Sequence, residues 1–161
     1  MKFLLKKRGS GEAIVTFVRD DGTSTSGQLG QAGFGAVHDL THYVVETMLR
    51  TRAGFFGLLA GGWDIADFER RGAARQIPDD AIAIECVVGQ LTNCAFNGTE
   101  PTAAEFNWLV TEALRGVRPH GTAPTVDEAI LGEMVAQLTA LTRRWRELSP
   151  GGTMELPVEL A

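Results

Sequence analysis

Cysteine is scarce in this sequence, which contains only Cys86 and Cys94. Their separation is not the C-x-x-C spacing of redox and zinc motifs, and two cysteines are too few for the disulfide scaffold of a small secreted domain. We therefore expect two free thiols in a reducing, cytoplasmic compartment.

Long apolar runs are also missing. No stretch approaches the roughly 18 apolar residues that a membrane-spanning helix needs. The segment Met1–Arg8 interrupts its apolar side chains with lysine and arginine, so it does not resemble a signal peptide. These absences predict a soluble, cytoplasmic protein that is not exported by that route and has no membrane partner.

An excess of positive charge is absent as well. The 15 lysines and arginines are outnumbered by 20 aspartates and glutamates, which gives a net charge of -5. Proteins that track the phosphates of a nucleic acid usually present a basic face, whereas the basic clusters here are short and scattered. Nucleic acid is therefore not an expected partner. The sequence identifies no other partner and leaves a homo-oligomer open.

What the sequence does contain is enough apolar material for a core. Apolar residues make up 44% of it and charged residues 22%, which are ordinary values for a globular protein. A chain of 161 residues also has the usual size of one domain. We therefore predict a single domain over residues 1–161.

Strands are predicted at both ends of the chain. Alternating or β-branched residues mark segments 3–7, 13–19 and 153–160, and the polar run 23–28 can return as a third strand of an N-terminal meander. Gly9-Ser10-Gly11 and Asp20-Asp21-Gly22 supply the turns. Pro157 cannot donate a hydrogen bond within a sheet, which favours an edge position for the last strand.

Helices are predicted between these strands. Helical spacing and terminal residues indicate helices over about 37–50, 79–97, 102–116 and 125–148. The last two open with the capping-box pattern, in the pairs Thr102/Glu105 and Thr125/Glu128. A sheet with one apolar face has to be covered, so the predicted fold class is α+β: a small antiparallel sheet, made of the N-terminal meander and the C-terminal strand, packed against about four helices.

The segment His38-Asp39-Leu40-Thr41-His42 carries the most specific chemical signal. It fits the pattern H-[DE]-x-x-H, in which two imidazoles one helical turn apart bind zinc and the carboxylate activates a metal-bound water. Zinc peptidases have glutamate where this chain has the shorter Asp39. The pattern predicts His38 and His42 as ligands of a divalent metal such as zinc, with Asp39 as a candidate catalytic base.

On a helical wheel, His38 and His42 lie about 40° apart at the edge of the apolar arc, with Asp39 and Glu46 on the adjoining polar side. Such a border gives a site both low dielectric and solvent entry. Glu46 is about 12 Å along the helix axis from His38 and cannot bind the same ion. It remains a candidate base, or a residue that orients His42 from outside the ligand sphere.

A third ligand has to come from elsewhere in the chain. Glu85 is the preferred candidate, because it borders the apolar face of the helix predicted over 79–97. Asp64, which follows a glycine-rich turn, is the second candidate. A carboxylate at an apolar margin often pairs with arginine instead, so both residues also have a purely structural interpretation.

The histidines have a structural interpretation as well. Asp39 can act as a plain N-cap, with His38 outside the helix and the two rings not aligned. Histidines at the edge of a core are often hydrogen-bonded packing residues. Under this alternative the protein is a non-enzymatic interaction or regulatory domain.

Two glycine-rich segments, residues 29–36 and 54–62, flank the helix that carries the histidines. Glycine tolerates unusual backbone angles and loosens the chain. We therefore predict that both segments wall a cleft beside this helix. The predicted apolar lining of the cleft is Phe34, Phe55, Phe56 and Trp63.

The chain resembles a family of small, uncharacterised bacterial proteins. The resemblance is carried by the segment His38 to Glu46 (HDLTHYVVE), followed by GFFGL at residues 54–58 and GWDI at residues 62–65. It is strongest over residues 34–70 and implies no activity. A further, local similarity to zinc hydrolases is confined to the five residues of the motif.

Overall fold

The computed structural model of the chain describes residues 1–9, 12–30 and 34–160. Within these ranges a four-stranded antiparallel sheet forms from both ends of the chain. Its strands are β1 (Lys2–Lys7), β2 (Ala13–Val18), β3 (Ser24–Leu29) and β4 (Thr153–Pro157). The spatial order is β3-β2-β1-β4, so the first strand lies between the second and the last.

One face of the sheet is apolar and the other is polar. Phe3 pairs with Phe17 on one side and with Leu156 on the other, and all three side chains are buried. The alternation of buried and more exposed residues along each strand matches the two-residue period of a sheet that packs on one side. Pro157 lies on β4, an edge strand, as predicted.

The helices lie between β3 and β4 in sequence. They are α1 (Phe34–Met48), α2 (Phe55–Ala60), α3 (Ile65–Glu69), α4 (Asp79–Asn97), α5 (Ala103–Val117) and α6 (Glu128–Glu147), with a short 3₁₀ turn at Ala73–Arg75. Helix α1 contacts α4 and α6, and α4 contacts α5. Phe56 of α2 and Tyr43 of α1 pack against the ring of Phe3 on the sheet. The apolar face is thereby covered by helices.

The predicted fold class is confirmed: the protein is α+β, with the N-terminal meander and the C-terminal strand in one antiparallel sheet. Two short helices, α2 and α3, add to the four that were predicted. The predicted turn at residues 9–11 and the crossing at residues 29–36 fall partly outside the described residues.

The predicted start of α6 at Thr125 is wrong. Asp127 is the N-cap, and its side chain accepts from the backbone amide of Ile130. Val126 lies outside the helix, and its backbone amide and carbonyl both bond to the side chain of Asn107. Glu128 accepts from the amide of Ala103 instead of closing a capping box. By contrast, the capping box of Thr102 and Glu105 is present.

Among the described residues, no helix is both long enough and apolar enough to cross a membrane.

Candidate metal centre

Helix α1 carries both histidines of the motif. It begins at Phe34, about one turn before His38, so both rings are on the helix and project from neighbouring turns. Their ring centroids are 4.8 Å apart. The alternative in which Asp39 is the N-cap and His38 lies outside the helix is therefore wrong.

Glu85 of α4 faces the two histidines. Its Oε1 is 3.4 Å from Nε2 of His38, and its Oε2 is 3.1 Å from Nε2 of His42. Taking one ligand atom from each residue, the three atoms lie within 4.8 Å of one another. The structure thus brings together the two histidines of the motif and the carboxylate predicted as their preferred partner.

His42 is held rigidly from its other nitrogen. Its side chain is 4% exposed, and its Nδ1 lies 3.0 Å from Oε1 of Glu46. The rings of Phe55 and Phe56 pack beside the imidazole, with centroids 5.2 and 6.1 Å away. This environment fixes the ring orientation. It also favours a protonated Nδ1 that donates to Glu46, which leaves Nε2 directed at Glu85.

Glu46 is fully buried, although the helical wheel placed it on a polar side. The chain turns back after α1, and the backbone amides of Phe56 and Gly57 donate to its carboxylate at 3.0 to 3.2 Å. Gly54 packs against the same carboxyl group, which occupies the space that a Cβ would need. These donors and His42 satisfy the buried charge, as a buried carboxylate requires.

His38 has a different environment. Its side chain is 25% exposed, and the ring of the exposed Phe34 stacks on it with a centroid distance of 5.8 Å. Phe34 stacks in turn on Phe96 of α4. Nδ1 of His38 is buried and makes no hydrogen bond within the described part of the chain. No acceptor therefore fixes the tautomer of His38 in the way that Glu46 fixes that of His42.

The carboxylates strongly perturb the protonation of this cluster. Burial by itself lowers the pKa of His42, but the hydrogen bonds and charges of Glu46 and Glu85 outweigh burial and raise the pKa to about 10. Burial raises the pKa of Glu85, but hydrogen bonds from His38 and His42 outweigh it and hold the pKa well below its ordinary value. Without a metal, the Nε2 atom of His42 therefore carries a proton toward Glu85.

Asp39 is buried next to this cluster. Burial raises its pKa to about 6, and the positive charges of His42 and His38 oppose the shift. The wheel had placed Asp39 on the polar side of α1. A carboxyl group in this environment changes protonation near neutral pH, which suits the role of a candidate base.

The second candidate for the third ligand, Asp64, lies elsewhere. It is the N-cap of α3, where it forms a capping box with Asp67. Its Oδ1 is 2.8 Å from the guanidinium of Arg19. In the described parts of the chain, the group of metal-ligand atoms that converges consists of His38, His42 and Glu85. Asp64 therefore pairs with an arginine, which is its structural interpretation.

The predicted cleft is not formed as expected on the side of residues 54–62. Phe56 is fully buried, and Phe55 lies over His42 instead of lining an opening. Trp63 packs against Phe68 with its ring tilted by 43°. Access to the cluster is from the other side, where His38 and the half-exposed Glu85 reach the surface. Residues 31–33 of the first glycine segment lie outside the described residues.

Sequence reasoning missed the backbone of α2 as part of the site. The amides of Phe56 and Gly57 are what allow Glu46 to be buried beside His42. The available signal was the pair Gly54 and Gly57, which was interpreted as looseness. At Gly57 a Cβ would overlap the backbone carbonyl of Arg52, so close approach is the reason for this glycine.

Comparisons with protein-family profiles, with curated proteins and with solved structures found no match. The resemblance to a bacterial family therefore stays a prediction, and the arguments about function rest on the site itself.

Proposed function

We propose that this protein binds a divalent transition metal, with zinc as the first candidate. The ligands are Nε2 of His38, Nε2 of His42 and a carboxylate oxygen of Glu85. The observation that carries the proposal is the convergence of these three atoms within 4.8 Å of one another. Two nitrogens and one carboxylate oxygen are a common donor set of catalytic zinc.

The spacing supports the proposal. Two atoms that each lie about 2.1 Å from a tetrahedral zinc are about 3.4 Å apart. The oxygens of Glu85 are 3.4 Å from Nε2 of His38 and 3.1 Å from Nε2 of His42. These two distances involve different oxygens of Glu85. With a single oxygen, the three ligand atoms lie within 4.8 Å of one another, so a metal between them would draw the side chains together by about 1 Å.

The contact between His42 and Glu46 supports it further. Metal-binding histidines usually donate their second ring nitrogen to a carboxylate or carbonyl, which fixes the tautomer and raises the basicity of the ligand. Glu46 accepts from Nδ1 of His42 at 3.0 Å and is itself held by backbone amides. Glu46 is thus a positioning residue, which leaves Asp39 as the candidate catalytic base.

Three protein ligands leave one position of a tetrahedral metal open. Zinc in such a site lowers the pKa of a bound water to near neutrality, which is the chemistry of metal-dependent hydrolases. The half-exposed side chain of Glu85 and the partly exposed His38 put the open side toward solvent. Hydrolase-like activity is therefore the enzymatic form of the proposal, and Asp39→Asn is expected to remove it while metal binding persists.

Metal titration of untagged, chelator-treated protein tests the proposal. We expect one equivalent of Zn²⁺ to bind. A parallel titration with Fe²⁺ is done in the absence of oxygen, because the same donor set also holds non-haem iron. The variants His38→Ala, His42→Ala and Glu85→Gln should each lose more affinity than the roughly 10–100-fold expected for loss of an outer partner.

His120→Ala is the matched control, because His120 is exposed and makes no part of the cluster. Glu85→Gln is the variant least prone to unfold, since the side chain is half-exposed. If the wild-type chain binds no stoichiometric metal, or if the His38→Ala, His42→Ala double variant binds as much as the control, the proposal is wrong.

A non-enzymatic function is the second candidate, and one observation favours it. Both ring nitrogens of His42 already contact carboxylates, those of Glu46 and Glu85, so its polar atoms are satisfied without a metal. In that case the cluster joins α1 to α4 and α2 as a structural ion network. Under this candidate, replacing His42 lowers stability while metal content stays at zero in all variants.

A further inference from the structure

A groove between α4 and α6 lies apart from the histidine cluster. It encloses a cavity of about 410 Å³, which is within the range of small-molecule sites. On the α4 side its wall is formed by Leu91, Cys94 and Ala95. A second cavity of about 230 Å³ shares Leu91, Cys94 and Val135 with the first and extends the groove along α6.

The α6 wall changes from apolar to basic along the helix. It presents Val135, Leu138, Thr139, Thr142, Arg143 and Arg146 to the groove. These positions follow the helical pattern i, i+3, i+4, i+7, i+8 and i+11, so they form one stripe on the helix surface. The stripe is about 16 Å long at the rise of an α-helix. Its apolar end faces the apolar wall of α4, and its basic end holds two guanidinium groups.

The basic end of the stripe has unused hydrogen-bonding capacity. In the part of the chain that the structure describes, neither Arg143 nor Arg146 forms an ion pair through its side chain. Arg143 and Arg146 are both exposed, so their guanidinium groups are accessible to a ligand in the groove.

We propose that this groove binds a small amphipathic carboxylate, such as a fatty acid of medium chain length. Its apolar tail lies along Leu91, Cys94 and Leu138, and its carboxylate meets Arg143 and Arg146. Guanidinium groups bind carboxylates through paired, charge-assisted hydrogen bonds. Glu100 and the last carbonyls of α4 lie at the rim formed by the end of α4, and their negative charge disfavours the carboxylate there. The charge distribution therefore orients the ligand.

Calorimetric titration with decanoate, below the concentration at which it forms micelles, tests the proposal. Untagged, metal-free protein is expected to bind one equivalent. The double variant Arg143→Gln, Arg146→Gln should weaken binding by about tenfold or more, because a charge-assisted hydrogen bond is lost. The single variant Arg144→Gln is the matched control, since Arg144 is an exposed arginine of α6 that does not line the groove.

Two further measurements separate the groove from other sites. Ala95→Trp fills the cavity from an exposed position of α4 and should abolish binding while the circular dichroism spectrum is unchanged. Decanol, which has the tail without the charge, should bind more weakly and respond equally to the arginine variants and the control. The His38→Ala, His42→Ala double variant should bind decanoate as the wild type does, which keeps this test independent of the metal proposal.

Three outcomes would overturn the proposal. The first is the absence of saturable decanoate binding. The second is equal binding by the Arg143→Gln, Arg146→Gln variant and the Arg144→Gln control. The third is undiminished binding by a folded Ala95→Trp variant.

Discussion

The two histidines of the motif differ in how the protein holds them. His42 is buried and its Nδ1 contacts Glu46, whereas His38 is partly exposed and its Nδ1 has no hydrogen-bond partner among the described residues. A metal ligand whose second nitrogen donates to a carboxylate is oriented and more basic. In the proposed metal site we therefore expect His42 to be the anchoring ligand and His38 to be the ligand with more freedom to exchange with solvent.

Replacing Glu46 tests whether its carboxylate strengthens metal binding through His42. Glu46→Gln retains the shape of the side chain but removes the charge that faces His42, so we expect zinc affinity to fall by about 10–100-fold. Competition with a chelating dye measures the dissociation constant. The control is Glu133→Gln, which changes an exposed glutamate of α6. Equal affinities of the two variants would contradict the role given to Glu46.

The individual residues of the site were predictable to different degrees. The candidates His38 and His42 followed from the spacing of the H-[DE]-x-x-H pattern, and Glu85 followed from its place at the border of an apolar helix face. The burial of Glu46 did not follow from its own helix, since its covering groups are backbone amides of residues 56 and 57. Asp64 was ambiguous because its partner, Arg19, is distant in sequence.

At the scale of elements, the connection from α1 to α2 is the part that shapes the site. Arg50 takes a positive φ of 50°, and the amide of Thr51 bonds back to the carbonyl of Glu46. Gly54 then lies against the side chain of Glu46, and Gly57 lies against the backbone of Arg52. The glycines of this connection permit close packing and do not loosen it.

Alanine at either glycine should therefore destabilise the protein. Overpacking of a tight site costs about 1–3 kcal/mol, and we expect at least that loss for Gly54→Ala and Gly57→Ala in urea unfolding. Gly116→Ala is the matched control, because a Cβ at this position of α5 meets nothing within 4 Å. The control should be neutral or stabilising by about 0.5–1 kcal/mol, since alanine is the better helix former. Similar stability of all three variants would show that the connection is looser than its geometry implies.

Element boundaries were predictable where the signals were local. The bounds of α4 agree with the prediction, because Asp79 and Asp80 open the helix and Gly98 ends it with a φ of 63°. The start of α6 was not predictable from local signals, because the side chain of Asn107 on another helix bonds to the backbone of Val126 and keeps it out of α6. Helix α2 was missed because Gly57 and the glycines that flank it argue against a helix. Helix α3 was missed because its five residues are too few to show a helical period.

At the scale of the whole molecule, the cluster couples stability to pH, and the proposed metal site predicts a coupling to zinc as well. The pKa of His42 is raised from 6.5 to about 10 in the folded, metal-free protein. Folded protein therefore keeps a proton that the unfolded chain releases, and the free energy of unfolding falls as pH rises from about 6.5 toward 10. A bound zinc ion replaces this proton, so the decline should be weaker with metal.

Urea unfolding between about pH 6.5 and pH 8.5, with a chelator and with one equivalent of Zn²⁺, measures this coupling. We expect a steeper fall of the unfolding midpoint with the chelator. His42→Gln should remove the difference between the two conditions. Identical pH dependence of the wild type with and without zinc would contradict a metal at His42.

The position of β1 between β2 and β4 has a consequence during synthesis. Residues 2–7 leave the ribosome before residues 153–157, so one edge of that strand stays unpaired until residues 153–157 are made, a delay on the order of ten seconds. An open strand edge invites pairing with neighbouring nascent chains. Lys2, Lys6 and Lys7 lie on this strand, and their like charges disfavour its association with a second copy of itself while it waits.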